Sequence, residues 1–328
     1  MRLTDLMTNP NIPESTRQLI NSLPDSGKMA IDNYCNEDSE FYKHADPRLI
    51  TPKLSFDVSS NTTLYHYTTV TSLNLILESK TWLIKQKDYM NDPEEFIYTV
   101  KLATSILNEL NASVDEIAAF ENVLNNNPFG DSYIWSFTKN RASQTLFGNY
   151  SGDKNGVALQ FDLAKIQEVL APHFSHGKTN PNKLTSGDAY VFPLRVIYDK
   201  KIQLEYLRPV VEEWLLAYRN LNLDADDMGE IIRWCLPAIT LFGLCFKNPL
   251  LRQEEEIRFV VANKREDNEM HPEVTMNETP FVKCDVEKGL IQEAILQTGN
   301  LVTVSELEAL FGKHGFGDVK VSKSELPY

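Results

Sequence analysis

"TLYHYTTVTSLNLILES", residues 63–79, carries two periodicities in one run. As far as Thr69 the chain is rich in aromatic and β-branched residues. An extended backbone there puts Tyr65 and Tyr67 on one side and Leu64, His66 and Thr68 on the other. From Val70 onward the apolar residues Val70, Leu73, Ile76 and Leu77 recur at helical spacing. The stretch therefore predicts a strand that passes directly into a helix. It also places one of only six histidines in the chain on that strand.

Working outward, "KTWLIKQ" reads as a short strand. "MNDPEE" reads as a turn and helix start, with Asp92 as the cap and Pro93 in the first helical position, and the helix running to about Leu110. "NASVDEIAAFENVLNN" is a further short helix. "SYIWSFTKN" (Ser132 to Thr138) and "GVALQFD" read as a pair of neighbouring strands, and "YVFPLRVIYD" as an edge strand interrupted by Pro193. Gln203 to Leu244 is helical in pattern. "RQEEEIRFVVA" reads as a strand from Glu254 to Ala262, "KREDNEMHPEVTMNE" as a polar loop, and the C-terminal residues as a strand–helix–strand unit with Ser305 as helix cap and Gly315 as its end. Strands and helices do not alternate strictly, which predicts an α+β fold with mixed or antiparallel split sheets flanked by helices. Residues 1–60, with five prolines and many polar residues, read as an N-terminal arm or small helical cap. Residues 61–328 read as one α+β domain with a helical insert at about 203–246.

Composition bounds the function. Hydrophobic residues make up 42% of the 328, enough for a packed core, and no apolar run approaches the ~20 residues of a membrane span. A net charge of −14 argues against bulk nucleic-acid binding, which needs clustered Lys and Arg. It leaves room for a nucleotide, whose phosphates need only one or two cations or a set of backbone N–H groups. Four scattered cysteines with no C-x-x-C pair read as reduced thiols, and the N-terminus lacks the apolar centre of a secretory signal, so a cytoplasmic protein is expected. No G-x-G-x-x-G or P-loop motif is present.

Several residues stand out as chemistry-bearing. Alternation in "RQEEEIRFVV" sets Glu254, Glu256 and Arg258 on one strand face, where like charges repel unless the guanidinium pairs with one of them. The plain alternative is a solvated face with an ordinary surface ion pair. Ser136 and Thr138 share a face opposite Phe137 and offer small donors beside a space. His66 reads either as a packed strand residue or as a hand for a substrate. Asp92, Glu95, Glu254 and Glu256 are the set that a metal-dependent hydrolase or nuclease would gather around Mg²⁺. His173 and His176 lack a third ligand at zinc spacing.

The motifs "LYHYTTVTSLNLILES", "YMNDPEEF", "WSFT", "NYSGDKNGVALQFD", "RQEEEIRF" and "VKVSKSELPY", in that order, resemble the bacterial domain of unknown function 2971 family over roughly Thr63 to Tyr328. Phe147 stands where that family often has Trp, and Ser136 where it usually has Cys. The order of a strand-borne His, a later Ser/Thr strand and a late E-x-E also resembles the ADP-ribosyltransferase layout, in which NAD lies between two small sheets. That resemblance implies His66 on ribose hydroxyls and Ser136 and Thr138 lining the nicotinamide pocket. It implies Glu256 or Glu254 on the 2′-hydroxyl and the oxocarbenium-like transition state, with Tyr67 or Tyr150 stacked on the nicotinamide. Thr68 would hydrogen bond beside His66. NAD would be a substrate, no metal is expected, and by analogy the role would be in phage defence or toxicity. A nucleotide-sensing or protein-interaction module, with partners on the N-terminal arm, is the alternative.

Overall fold

A computed structural model of the chain describes residues 2–58, 60–90, 95–126, 132–150, 154–174, 189–221, 225–263 and 274–327. The elements in order are α1 (Leu3–Thr8), α2 (Glu14–Ser22), α3 (Asp25–Cys35), α4 (Glu40–Ala45), α5 (Pro47–Leu54), β1 (Thr63–Thr69), α6 (Val70–Ser79), β2 (Thr81–Gln86), α7 (Glu95–Glu109) and α8 (Val114–Asn126). They continue as β3 (Ser132–Thr138), α9 (Gln144–Tyr150), β4 (Gly156–Asp162), α10 (Leu163–Phe174), β5 (Ala189–Arg195), α11 (Lys200–Asn220) and α12 (Ala225–Cys245). The last are β6 (Glu256–Asn263), β7 (Val274–Met276), β8 (Thr279–Asp285), β9 (Glu293–Leu296), α13 (Val304–His314) and β10 (Lys320–Lys323). The fold is α+β, with a mixed, open ten-stranded sheet. Among the described residues no helix is long and apolar enough to cross a membrane.

Two compact units divide these elements. The first gathers Met1–Leu54, Asp92–Phe129 and Ile197–Pro249 and is helical. Its helix α11 is capped by the Asp199 carboxylate, which accepts from the N–H groups of Lys201 and Ile202. One face of α11 buries Leu207, Val210, Val211, Trp214 and Ala217, at about 1.5–3 kcal/mol for each large apolar side chain removed from water. Gln203 is fully buried on the same helix and its amide is fully used. Nε2 donates to the carbonyls of Ile197 and Lys247 at 2.6 and 2.9 Å, and Oε1 accepts from Tyr98 at 2.8 Å.

The second unit holds Ser55–Asn91, Gly130–Val196 and Leu250–Tyr328, with the whole sheet. Strand β4 pairs with β1 and β9, and not with β3 as its sequence position suggests, because β1 is inserted between them. Along its full length β3 pairs with β6, from Ser132↔Ala262 to Thr138↔Glu256. A strand has only two edges, so β1 and β2 must share the other. β1 pairs there only at Tyr65↔Thr138, and β2 only at Lys85↔Ile134 and Gln86↔Tyr133. The sheet therefore forks at β3, with the backbone around Trp135–Phe137 lying in the gap between two diverging strands.

A large apolar core fills one side of this sheet, built from Leu64, Trp82, Trp135, Phe137, Phe161, Phe259 and their neighbours. A smaller one on Tyr65, Tyr67, Leu146, Phe147, Ala158 and Ile295 fills the other. The alternation read in "TLYHYT" is thus reproduced, with Leu64 in one core and the two tyrosines in the other. Pro193 sits in β5, which pairs with β6, and its carbonyl accepts from the Phe56 N–H at 2.9 Å. In the C-terminal strand–helix–strand unit, β9 and β10 are parallel. Thr303 caps α13, not Ser305. Its hydroxyl accepts from the Glu306 N–H while Glu306 reaches back to the Thr303 N–H, and Gly315 ends the helix at φ +88°. The four cysteines are in the thiol form, Cys235, Cys245 and Cys284 buried and Cys35 half-buried.

Candidate functional site

The fork in the sheet is where most of the predicted site residues meet. Directly opposed residues on antiparallel strands share a face, so Tyr65, Thr138 and Glu256 form one row across β1, β3 and β6, with Ser136 and Arg258 in the next. His66 and Thr68 belong to the opposite face. His66 nevertheless reaches the same cavity, because between β1 and β3 there is no continuous ladder to separate the faces. A cavity of about 70 Å³ is lined by Tyr65, His66, Ser136, Thr138, Glu254 and Glu256, and also by Tyr67, Phe137, Leu146 and Tyr150. Thr68 does not line it.

His66 closes the gap. Its Nδ1 lies 2.9 Å from the Ser136 carbonyl, and a carbonyl only accepts, so Nδ1 carries the proton. The ring packs edge-on to Trp82 and Trp135 and tilted to Phe137, at centroid distances of 5.8, 6.1 and 5.8 Å. Burial pulls the imidazole below its ordinary value, with the Ser136 hydrogen bond opposing, so the ring is neutral at pH 7. Nε2 is then a hydrogen-bond acceptor.

Two hydroxyls contrast. Thr138 Oγ1 accepts from the Asn140 N–H at 3.1 Å. Ser136 Oγ is buried and has no hydrogen-bond partner among the described residues. Native interiors seldom leave such a group unsatisfied, at a cost of about 1–3 kcal/mol.

The carboxylates are arranged unlike the regular strand that alternation predicts. Strand β6 begins at Glu256, and Glu254 ends a 3₁₀ turn over Pro249–Glu254. Glu255 between them takes the left-handed conformation, φ +46°, which breaks the pleat before the strand starts. Both acids are 8% exposed and Arg258 is fully buried, so the ion pair is not the solvated surface pair of the plain reading. Arg258 donates through Nε and Nη2 to the two oxygens of Glu256 at 3.1 and 2.9 Å, a bidentate hold that fixes the carboxylate plane.

Of the two tyrosines, Tyr67 is committed to the loop after β3. Its hydroxyl donates to the Asn140 carbonyl and accepts from the Ser143 N–H, both at 2.9 Å, and its ring packs on Phe147 at 4.8 Å. Burial pushes its hydroxyl up to about 12. Tyr150, at the end of α9, is 37% exposed at the cavity.

Tyr65, Phe137 and Leu146 line the cavity without being singled out by the sequence; period-2 alternation placed Tyr65 and Phe137 on opposite faces without revealing the fork, and Leu146 comes from helix α9. Of the metal set, only the side chains of Glu254 and Glu256 are among the described residues. Asp92 and His176 lie outside the described residues, as do the side chains of Glu95 and His173. Among the described residues no group of three or more His, Cys, Asp or Glu could hold a metal ion.

No curated protein and no solved structure matches the chain. Residues 146–259, from within α9 to within β6, match the model of the family described as protein of unknown function (DUF2971), and the chain thus resembles that family over a stretch that carries Tyr150, Glu254 and Glu256.

Proposed function

We propose that the forked-sheet cavity binds the nicotinamide ribose end of NAD and that the protein cleaves its glycosidic bond, as an ADP-ribosyltransferase or NAD glycohydrolase. The observation that carries this reading is the buried, unsatisfied Ser136 hydroxyl in a cavity shared with His66 and two carboxylates. In the reaction the bond from ribose C1′ to the ring nitrogen breaks and its electron pair stays on nicotinamide. Positive charge develops on the ribose. Glu254 or Glu256 stabilises it electrostatically, in a site where burial strengthens the interaction. Water or an acceptor nucleophile then adds at C1′ and gives up a proton.

His66 suits a ribose hydroxyl, because the Nδ1–H bond to Ser136 leaves Nε2 to accept. Ser136 Oγ offers the complementary donor. Tyr150, 37% exposed at the cavity, is the tyrosine placed to stack on the nicotinamide ring. About 70 Å³ is well below the ~300–1,000 Å³ of whole-ligand sites, so only one end of the dinucleotide enters and the rest lies outside the cavity.

The test is incubation of the purified protein with NAD, following nicotinamide release with and without Mg²⁺, beside Glu254→Gln and Glu256→Gln. Metal-independent release, lost in one of the two variants, is the expected result. NAD binding without release in any form would favour a nucleotide-sensing module. Neither binding nor release would refute both readings.

A further inference from the structure

The helical unit contains a second and larger cavity, of about 820 Å³, between α3, α4 and α11. Its size falls in the range of small-molecule sites. Glu213 of α11 lines it and is only 3% exposed. One carboxylate oxygen, Oε2, accepts from Asn33 Nδ2 of α3 at 2.7 Å. The other, Oε1, is buried with no hydrogen-bond partner among the described residues. One turn earlier on the same wall is Pro209, which has no N–H to give to the Glu205 carbonyl four residues before it. Pro209 thus removes the regular helical donor of the Glu205 carbonyl.

Charge runs the same way. Glu40, Glu205, Glu212 and Glu213 line the cavity against Lys201 and Arg208. Arg208 is already paired, with Glu109 of α7 and with Glu212 at 3.5 Å. From α12, Cys235 faces Glu213 with a thiol that burial raises well above its ordinary value and keeps neutral. No cation from any of these helices is hydrogen bonded to Glu213 among the described residues.

We infer that this cavity is a binding site for a small organic cation carrying at least one primary ammonium group, such as an aliphatic diamine, with Glu213 as its anchor. An ammonium is a pure donor and would satisfy Oε1, while Glu205 at the cavity wall takes the second charge. Burial holds the Glu213 carboxyl near 7, so binding a cation favours its ionised form and releases a proton.

Isothermal titration of the full chain with 1,4-diaminobutane, in two buffers of different ionisation enthalpy, reads both affinity and proton release. The expected result is saturable binding that tightens from pH 6 to pH 8, with proton release at pH 6.5 and no binding of 1,4-butanediol. Glu213→Gln keeps the shape and an acceptor for Asn33. It should weaken binding at least ~10-fold and abolish proton release. Glu205→Gln should weaken binding but leave proton release intact. No diamine binding to the wild type, equal affinity in Glu213→Gln, or equal binding of the diol would each overturn the inference.

Discussion

Glu256 in the sheet unit and Glu213 in the helical unit are both almost wholly buried, at 8% and 3% exposure, and are held in opposite ways. Glu256 lies against a fully buried guanidinium that reaches both of its oxygens. Glu213 has one neutral amide on one oxygen and no partner on the other among the described residues. Desolvation is severe for any buried charge, and only an opposite charge with good geometry offsets it. The first arrangement makes a fixed anion. The second makes a carboxyl poised near neutral pH, pushed up to about 7 by burial against the Asn33 hydrogen bond. A fixed anion suits the stabilisation of a transient positive charge. A poised carboxyl suits a ligand that brings its own cation.

The largest effect expected from breaking this contrast is at Arg258. Arg258→Leu leaves the Glu256 carboxylate buried beside an apolar side chain, at a cost of about 3–5 kcal/mol to the sheet unit. Hydrogen exchange of the β6 amides measures it, and unchanged protection would show that the pair does not stabilise the sheet. Next is the pH dependence that Glu213 imposes. Its folded-state value, about 7, lies above the ordinary 4.5, so between those values the folded state keeps a proton the unfolded state has lost. Stability should then fall as pH rises from 4.5 to 7, by on the order of 3 kcal/mol at ~1.4 kcal/mol per pH unit, and level off above. Glu213→Gln should remove that slope, as read by urea unfolding from pH 4.5 to 8.

Asn33→Ala sharpens the same comparison at smaller scale. It removes the hydrogen bond to Glu213 Oε2, costing about 1–2 kcal/mol at pH 8 and less at pH 5, where the carboxyl is protonated. An equal loss at both pH values would mean that the bond does not stabilise the charged form. Smallest is Ser136→Ala. Deleting a buried hydroxyl with no partner among the described residues should raise stability, by about 1 kcal/mol. On the proposed function it lowers nicotinamide release, so activity and stability separate at this residue. A variant that loses both together would mark Ser136 as structural.

Much of the sheet was legible because local chemistry and burial agree. Ser132–Thr138 and Thr63–Thr69 have strand composition and become β3 and β1. The fork was not legible, because it depends on β1 and β2 competing for one edge of β3, a long-range pairing with no local signal. That is also why His66 and Thr68, neighbours on one strand face, part company at the cavity. Some misses had signals. Helix α10 buries Leu163, Ile166, Val169 and Leu170 at helical spacing. Thr303-x-x-Glu306 is a capping box in plain sight. The β7–β8 hairpin turns on Asn277-Glu278, with φ +49° and +67°, where the second residue is not the usual glycine and so hid the turn inside a polar stretch. Glu213, in "VVEEWLL", looks like any helix charge. Its hydrogen-bond partner Asn33 is remote in sequence.

Of the residues singled out by type and order, His66, Tyr67, Ser136, Thr138, Tyr150, Glu254 and Glu256 line one cavity and Thr68 and Arg258 do not, a division that only the fold reveals. The most direct measurement of what that cavity does is a crystal structure of the protein soaked with a non-hydrolysable NAD analogue. The nicotinamide ribose is expected within hydrogen-bonding distance of Ser136 Oγ and His66 Nε2, with Glu254 or Glu256 on the ribose. An analogue bound elsewhere on the protein, or absent from saturated crystals, would contradict it.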